Sequence, residues 1–399
     1  MPTLRQHTGF GRSAPCRVGM LSTYPPKMCG LATFAAALST HLYEAGHRVD
    51  VVRVDDGDAV PDLGMTRLGA ERVPVSGVLT NNVAESVRSA AAVLSLADVA
   101  VIQHEYGIFG GADGDDVLDL IDAIDVPVIV VLHTVPLHPT TNQKLVLERL
   151  CARVAQVVVM SRTAHDRLLN LYVVDPSTVA VIPHGAALPR PEGDPPLIGL
   201  AQPELLTWGL LGPGKGIEHV IDALALLRDL PSRPRYTIAG VTHPKVFARD
   251  GDEYRHSLIR RCWSHGIGNS VTFDDTYRDV PQLTRFVASA KLIVLPYDSL
   301  DQVTSGVLVD AIAAGRPVIA TEFPHAREML QTGAGMVVPH RDPLALATAL
   351  RLVLTQPGLL GSMTAEARRL APMLSWAAVA ERYADLCNRV LYQRDAVAS

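Results

Sequence analysis

Short runs of Val, Ile and Leu alternate along this chain with longer segments whose apolar residues recur every three or four positions. Such short runs are typical of strands buried on both faces, and the longer segments are typical of helices that cover a sheet. The alternation therefore predicts an α/β fold with parallel sheets. The predicted strands of the first half are Arg17–Ser22, Arg48–Val54, Val99–Gln103, Pro127–Leu132, Gln156–Met160 and Thr178–Ile182. The predicted helices between them are Leu31–Ala45, Asp113–Ile124, Gln143–Ala152 and Arg162–Tyr172.

A proline-rich segment, Pro189–Pro196, divides the chain into two parts. Proline lacks an N–H donor and has a fixed φ, so PRPEGDPP suits neither a helix nor a strand. The alternation then restarts, and a chain of 399 residues suits two domains of about 180 residues each. We predict an extension at 1–15, a first domain at 16–190, a linker at 191–203, a second domain at 204–372 and a final segment at 373–399. The predicted strands of the second domain are Leu205–Leu211, Arg235–Ala239, Val271–Phe273, Leu292–Pro296, Pro317–Ala320 and Gly335–Val338.

The final segment contains one more amphipathic helix. Residues Trp376–Tyr392 carry an apolar stripe at alternating spacings of three and four, and no further strand follows them. Such a helix either covers the second domain or packs back on the first.

Composition restricts the class of protein. The chain has 36 Lys and Arg against 41 Asp and Glu, a net charge of −5, which disfavours nucleic acid as the main ligand. Its 5 cysteines are widely spaced and form no C-x-x-C pair, so neither a disulfide framework nor a thiolate zinc site is expected. The sequence shows no signal-peptide pattern and no apolar run long enough for a membrane span. These features predict a cytoplasmic protein.

Three loops that follow predicted strands of the first domain have unusual content. Ligands of parallel sheets bind beyond the carboxyl ends of the strands, so such loops are the first place to look for a site. Gly30 opens the first predicted helix, where backbone N–H groups can bind an anion. Gln103–Gly111 combines Glu105 and other polar residues with glycines, and His133 stands at the end of a later strand.

A glycine-rich loop follows the first strand of the second domain. The spacing Gly209-x4-Gly214-Lys215 is close to that of a P-loop, but Gly216 stands where Ser or Thr would hold magnesium. Backbone amides and one ammonium group remain, and these suit a diphosphate without requiring a metal.

The segment from Asp298 to Glu328 is the most informative. Ser305, Gly306 and Val307 open a helix after a predicted strand, so their amides predict a phosphate site. Asp310 lies one turn into that helix, where its carboxylate could accept hydrogen bonds from ribose hydroxyls. The same residues also suit an ordinary helix cap with a solvated carboxylate. The later PHARE segment, with His325, Arg327 and Glu328, is a weaker candidate.

The paired domains, the GKG turn at Lys215 and the stretch SGVLVDAIAAGRPVIAT resemble the retaining glycosyltransferases of family 4. The likeness extends over LYEAGHRVDVV, IPHG and SWAAVAERY, and so over nearly the whole chain. It implies the GT-B fold: two doubly wound, Rossmann-like domains facing across a cleft, with the last helix crossing back to the first domain. It also implies that the second domain binds a nucleotide sugar.

The resemblance implies a role for five positions. Gly30 matches the glycine that lets the diphosphate approach, and His133 matches the histidine that contacts the donor sugar. Lys215 matches the lysine that binds the diphosphate. Gln302 and Asp310 occupy the two glutamate positions of the E-x7-E motif, whose members contact the sugar and the ribose. Both side chains still accept hydrogen bonds, although Gln302 lacks the negative charge.

One further departure concerns phosphate charge. The arginine that in this family precedes the lysine by five positions is Leu210 here, so the charge must be met by Lys215, by amides or by another arginine such as Arg316 or Arg327. We interpret these departures as marks of a divergent active branch.

The resemblance implies transfer of a hexosyl group, mannose from GDP-mannose or glucose from UDP-glucose, to a hydroxyl of a saccharide or lipid-linked acceptor, with no metal or other cofactor. The leaving phosphate would take the acceptor proton, while His133, Glu105 and Gln302 orient the sugar and Lys215 stabilises the leaving group. The acceptor is expected on first-domain loops such as Leu63–Asn82. The alternatives are a catalytically silent nucleotide-sugar-binding protein and a nucleotide-sugar epimerase. A pyridoxal-dependent phosphorylase and a dehydrogenase are less well supported, because neither a pyridoxal lysine context nor G-x-G-x-x-G is found.

Overall fold

The computed structural model describes residues 14–27, 29–55, 72–189, 204–231 and 233–398. The chain divides into two compact units. Unit 1 comprises Met1–Pro183 and Trp376–Ser399, and unit 2 comprises His184–Ser375. The predicted linker at 191–203 and nearly all of the extension at 1–15 lie outside the described residues.

Unit 1 contains a parallel sheet with the strand order β3-β2-β1-β4-β5-β6-β7. The described strands are β1 Arg17–Ser22, β2 Arg48–Asp55, β3 Val75–Thr80, β4 Val99–His104, β5 Val128–Leu132, β6 Gln156–Val159 and β7 Val179–Val181. The helices of this part are α1 Gly30–Glu44, α2 Ala84–Leu94, α3 Asp116–Asp122, α4 Thr141–Cys151 and α5 Arg162–Leu171. The parallel α/β prediction is confirmed for this half.

Three details of unit 1 differ from the sequence predictions. β3 and α2 were not predicted, and part of the expected loop Leu63–Asn82 is therefore a strand. β3 lies at the sheet edge, contains Gly77 and buries only Leu79 well, so it lacks the apolar run of a central strand. The helix predicted at Asp113–Ile124 begins only at Asp116, because Asp113 and Gly114 have φ values of 54° and 77°, outside the helical range.

Unit 2 contains a second parallel sheet, with the order β10-β9-β8-β11-β12-β13. Its described strands are β8 Leu205–Trp208, β9 Tyr236–Ala239, β10 Val271–Asp274, β11 Leu292–Leu295, β12 Val318–Thr321 and β13 Gly335–Val338. Its described helices are α6 Ile217–Ala225, α7 Pro244–Asp250, α8 Glu253–Ser264, α9 Val280–Ser289, α10 Gly306–Ala313, α11 Pro324–Leu330, α12 Pro343–Thr355 and α13 Leu359–Leu370. β8 ends three residues before the predicted Leu211, because Gly209 has a φ of 118° and turns the chain out of the sheet.

The last helix, α14 (Trp376–Ala398), belongs to unit 1. The Trp376 ring packs edge-on against Phe34 of α1, with ring centroids 5.0 Å apart. Tyr383 and Leu386 lie in the same buried cluster as β1 and α1. The helix therefore returns to the first domain, as the family resemblance implied, and it does not cover the core of unit 2.

None of the described helices alone is both long and apolar enough to cross a bilayer. One bent pair, Pro343–Thr355 with Leu359–Leu374, meets the length and composition criteria together, with an angle of 94° between its helices.

Tyr383 provides a test of the α14 packing. Its side chain is 0% exposed, and its hydroxyl has no hydrogen-bond partner among the described residues. Tyr383→Ala should therefore destabilise unit 1 by about 3–5 kcal/mol through loss of a buried ring, whereas Tyr383→Phe should be neutral or stabilising. Hydrogen exchange followed by mass spectrometry would show faster exchange in α1, β1 and α14 for the alanine variant. Faster exchange confined to unit 2 would contradict this packing.

Candidate functional site

Each sheet has one point at which the strand order reverses, between β1 and β4 in unit 1 and between β8 and β11 in unit 2. Ligands of doubly wound sheets bind at the carboxyl ends of such strand pairs. The glycine-rich loop of unit 2 follows β8, and the segment leading to α10 follows β11. The loops singled out from the sequence thus flank the reversal points of their own sheets.

The Lys215 loop is held against the end of β11 by backbone contacts. The Asp298 N–H donates to the Gly214 carbonyl oxygen at 2.9 Å. Gly216 has a φ of 65°, and a Cβ atom there would lie 1.9 Å from the carbonyl oxygen of Pro296. Only glycine fits this position. The close approach fixes Lys215 beside the residues that follow β11.

The Lys215 ammonium group is poorly solvated and forms no ion pair with a described residue. Its Nζ atom lies 4.8 Å from the centroid of the Tyr297 ring, a cation–π contact. Burial lowers the pKa of Lys215 below its usual range. A half-buried cation whose described contact is an aromatic face favours an anionic ligand.

Asp310 is a second charged group near Tyr297 that has no partner among the described residues. Its half-buried carboxylate accepts no hydrogen bond from the described residues, and burial raises its pKa to about 7. The Asp310 charge also raises the pKa of Tyr297, in addition to the larger effect of burial, so the two side chains are close. The Tyr297 hydroxyl is itself buried without a partner in the described chain. Lys215, Tyr297 and Asp310 therefore form one cluster of unsatisfied polar groups.

The start of α10 differs in one respect from the sequence prediction. The Ser305 hydroxyl caps the helix by accepting from the Leu308 N–H at 3.3 Å. The Ser305 N–H, predicted to face a phosphate, instead donates to Nδ1 of His325 at 2.9 Å. The N–H groups of Gly306 and Val307 have no acceptor among the described residues. The Gly306 and Val307 N–H groups are therefore available to an anion, whereas the Ser305 N–H is already bonded to His325.

Three arginines of unit 2 are candidates for a second cation that could bind phosphate. Arg316 precedes β12, and its guanidinium donates to the carbonyl oxygens of Ala290 and Ala314, so it does not lie at the carboxyl edge. Arg327 pairs with Glu322. Arg341, which sequence reasoning did not consider, follows β13 and pairs with Asp298 at 2.5 Å. Leu210 is 38% exposed.

In unit 1, His133 is held in a defined orientation. Its Nε2 atom donates to the Gln103 side-chain oxygen at 2.8 Å, and Gln103 is fully buried at the end of β4. The Phe34 ring of α1 packs edge-on against the imidazole, with centroids 4.8 Å apart. The sequence predicted His133 as a site residue and placed Gln103 in the candidate loop Gln103–Gly111, but it did not predict that Gln103 and Phe34 contact His133.

Glu105 has both carboxylate oxygens engaged. The Thr134 hydroxyl donates to one at 2.5 Å, and the Tyr106 N–H donates to the other at 3.1 Å. Burial raises the pKa of Glu105, while these hydrogen bonds oppose that shift. This arrangement suits a group that orients a ligand better than one that takes a proton.

Gly30, the remaining predicted position, is the first residue of α1. A Cβ atom there would meet nothing within 4 Å, so the space over the helix start is open. Cys29 caps the helix by accepting from the Ala32 N–H at 3.4 Å. Space for a ligand is therefore present at the reversal point of the first sheet. Across the described residues of both units, no group of three or more His, Cys, Asp or Glu side chains could hold a metal ion.

Two family models match the chain, and together they cover most of it. Residues 28–190 match the model described as glycosyltransferase family 4. Residues 202–356 match the model described as glycosyl transferases group 1. The first match covers most of unit 1 and extends into the first residues of unit 2, and the second falls in unit 2.

Two relatives of similar sequence are both named D-inositol 3-phosphate glycosyltransferase. The chain is 28% identical to the D-inositol 3-phosphate glycosyltransferase of Jonesia denitrificans over 284 residues, or 64% of each chain. It is 31% identical to the enzyme of that name from Frankia alni over 236 residues, which is 55% of this chain and 56% of that protein. The matched region thus spans about half to just under two thirds of these relatives.

Solved structures of similar fold cover almost the whole chain. The Anabaena protein Alr3699/HepE in complex with UDP superimposes with a TM-score of 0.71 at 18% identity, over 93% of this chain and 99% of that one. Sucrose-phosphate synthase from Thermosynechococcus elongatus gives 0.70 at 19% identity, over 96% and 100%. These likenesses establish the GT-B glycosyltransferase fold.

Asp310→Asn should stabilise the ligand-free protein at neutral and higher pH. The folded protein retains a proton on Asp310 up to about pH 7, whereas the unfolded chain releases it near the ordinary aspartate pKa of 3.8. The stability contributed by this group therefore falls as the pH rises through that window and stays low above it. The neutral amide avoids this cost, so the gain in melting temperature should be largest above pH 7 and vanish near pH 4.

Asp222→Asn is the matched control. Burial alone would raise the pKa of Asp222, but its hydrogen bonds with Arg261 and His265 lower it. This variant should lose stability at neutral pH, the opposite sign. Thermal unfolding from pH 4 to pH 8 would check both, and an Asp310→Asn protein that melts lower than wild type at pH 8 would contradict the account.

Proposed function

We propose a hexosyl-transfer function for this chain, which belongs to glycosyltransferase family 4. It moves mannose or glucose from a nucleoside-diphosphate sugar to a hydroxyl acceptor, with retention of anomeric configuration and without a metal ion. The observation that carries the proposal is the cluster at the carboxyl edge of the second sheet. There the Lys215 ammonium lies over the Tyr297 ring, the Asp310 carboxylate is close to the same ring, and neither charged group has a partner of opposite charge among the described residues.

The leaving diphosphate is the charge that the site must stabilise. Breaking a sugar–phosphate bond builds negative charge on the phosphate and positive charge on the sugar ring. Lys215 and the N–H groups of Gly306 and Val307 supply fixed positive charge and donors for that phosphate. The position of Gly216, where a P-loop has a metal-binding hydroxyl, supports a site in which these groups replace the metal.

Asp310 is suited to bind the ribose of the donor. Two adjacent ribose hydroxyls can donate to one carboxylate, and such hydrogen bonds favour its charged form. Ligand binding should therefore lower the pKa of Asp310 and release a proton near pH 7. A carboxylate that is costly to ionise in the free protein gains its partners when the nucleotide arrives.

Polar side chains of unit 2 and, separately, of unit 1 are candidates for hydrogen bonding with sugar hydroxyls. Gln302 stands at the first glutamate position of the family motif, and its side-chain amide is half-buried with no described partner. In unit 1, Gln103 and Phe34 fix the ring of His133, and Thr134 fixes Glu105. We assign these side chains to hydrogen bonding with sugar hydroxyls, because His133 and Glu105 are held in place by neighbouring side chains and the Gln302 side chain has no partner among the described residues.

The chemical step that we propose is front-face displacement. The acceptor oxygen forms a bond to the anomeric carbon as the bond to the diphosphate oxygen breaks, and that leaving oxygen takes the acceptor proton. Electrons and protons balance without a separate base. This agrees with the engagement of both Glu105 oxygens by protein donors.

The acceptor is proposed from the relatives. Because similar proteins are named D-inositol 3-phosphate glycosyltransferases, an inositol phosphate is the first acceptor to test, ahead of saccharide and lipid-linked acceptors. UDP-glucose and GDP-mannose are the first donors. We propose a cytoplasmic location, where nucleotide sugars are available.

A catalytically silent protein that binds nucleotide sugars is the second candidate. It is favoured by Leu210, which removes one phosphate cation, and by Gln302, which removes a carboxylate. Such a protein would bind the donor and release no diphosphate with any acceptor. A nucleotide-sugar epimerase would instead convert the donor with no acceptor present.

Lys215→Ala should abolish nucleotide-dependent stabilisation and lower kcat by about 100- to 1,000-fold, the usual cost of one donor to a developing anion. Lys291→Ala is the matched control: it also removes one positive charge from unit 2, but Lys291 precedes β11 at the opposite edge of the sheet and pairs with Glu204. Thermal unfolding with UDP, GDP and ADP, each with and without magnesium, would measure binding. A ligand at 100 times its Kd adds about 2.7 kcal/mol of stability.

Retention of the shift by Lys215→Ala, or its loss in Lys291→Ala to the same degree, would remove the main support for this site.

A further inference from the structure

The turn that leads into α10 is held at both of its ends by one residue. The His325 N–H donates to the carbonyl oxygen of Gln302 at 3.3 Å, and the Ser305 N–H donates to Nδ1 of the His325 ring at 2.9 Å. His325 is 3% exposed and lies in the first turn of α11, after β12. His325, which lies 20 residues after Ser305 in the chain, therefore fixes the segment from Gln302 to Ser305.

A second histidine closes the other side of the same turn. The His184 Nε2 atom lies 3.1 Å from the position that a Cβ atom would occupy at Gly306. The His184 Nδ1 donates to the carbonyl oxygen of Gly185 at 2.6 Å, which sets the orientation of the ring. Gly306 is therefore the residue that allows the start of α10 to lie against this imidazole. The IPHG and PHARE segments meet at the turn that carries Gln302.

Both histidines are neutral at physiological pH. Burial lowers the pKa of each to about 4, and the neighbouring His184 further lowers that of His325. In the neutral ring, Nδ1 of His325 is an acceptor and Nε2 carries the proton. The Ser305 N–H can thus donate to His325 Nδ1 throughout the physiological pH range.

The held turn carries several polar groups that have no partner among the described residues. Gln302 has a side-chain amide without a described partner, and the Thr304 hydroxyl oxygen is buried without one. The N–H groups of Gly306 and Val307 follow directly. A change of backbone angle in this turn would move all of these donors and acceptors together.

We propose that His325 is a positioning residue for sugar transfer: its backbone N–H and its ring nitrogen fix the Gln302–Ser305 turn, and thereby the orientation of Gln302 and of the α10 amides toward the donor. This inference rests on the proposed function. His325 itself touches neither the Lys215 ammonium nor the Asp310 carboxylate through any described hydrogen bond, so its effect is exerted through the turn.

The test compares His325→Asn with His325→Leu. The Asn side-chain oxygen can accept from the Ser305 N–H as the ring nitrogen does, whereas Leu fills the space and cannot accept. His325→Leu should show faster hydrogen exchange in residues 302–308. It should lower kcat by about 10- to 100-fold, because misplacement of reacting groups by about 1 Å costs that much, while the Kd for UDP or GDP changes less. His325→Asn should restore most of the rate.

His265→Leu is the control for general loss of stability. It removes a 2.9 Å contact with Asp222 on α6, remote from the turn in sequence and in contacts. It should leave kcat unchanged.

The outcomes separate the two claims. Transfer by His325→Leu at the wild-type rate overturns the positioning role and leaves the proposed function intact. A rate loss that Asn does not relieve, or an equal rise in the Kd for the nucleotide, makes His325 a merely structural residue and also overturns it. If wild type binds no nucleoside diphosphate and transfers no sugar while Lys215→Ala behaves identically, the proposed function fails, and the inference fails with it.

Discussion

The close approach of two backbone segments in unit 2 is the constraint on which the proposed donor site depends. Gly216 lies where any side chain would overlap the Pro296 carbonyl oxygen, and the Asp298 N–H bonds to Gly214. These contacts join the loop after β8 to the end of β11 and leave the Lys215 ammonium over the Tyr297 ring. The position of the cation therefore follows from backbone geometry, not from an ion pair that a phosphate would have to displace.

Lys215 and Asp310 are charged groups that lose solvation in the folded protein, a cost that a bound ligand can offset. Burial lowers the pKa of Lys215 and raises that of Asp310, and neither group has a described partner of opposite charge. Each shift is a cost to the free protein, because charged or polar groups lose water without gaining a bond. In the proposed complex, a nucleoside diphosphate offers anionic oxygens to Lys215 and ribose hydroxyls to Asp310. Binding affinity and fold stability are thus coupled through the same two side chains.

The sequence predicted the parallel sheets well because buried strands such as Val99–Gln103 are nearly continuous apolar runs. It missed β3, which is an edge strand containing Gly77, since such strands carry little apolar signal. Lys215 and Asp310 could be singled out from motif spacing. The hydrogen bond from the Ser305 N–H to His325 could not be predicted, because the two residues lie in loops that follow different strands and meet only through tertiary contacts. For the same reason the sequence did not predict the hydrogen bond between His133 and Gln103 or the ion pair between Arg341 and Asp298.

The central claim is that the chain transfers a sugar with retention and without a metal. The most direct measurement is proton NMR of the reaction of UDP-glucose or GDP-mannose with an inositol phosphate and a panel of saccharide acceptors, in the presence of EDTA. The account predicts release of the nucleoside diphosphate together with an α-linked product from the α-linked donor. A β-linked product, a strict need for a divalent metal, or binding of the donor with no diphosphate release from any acceptor would contradict it.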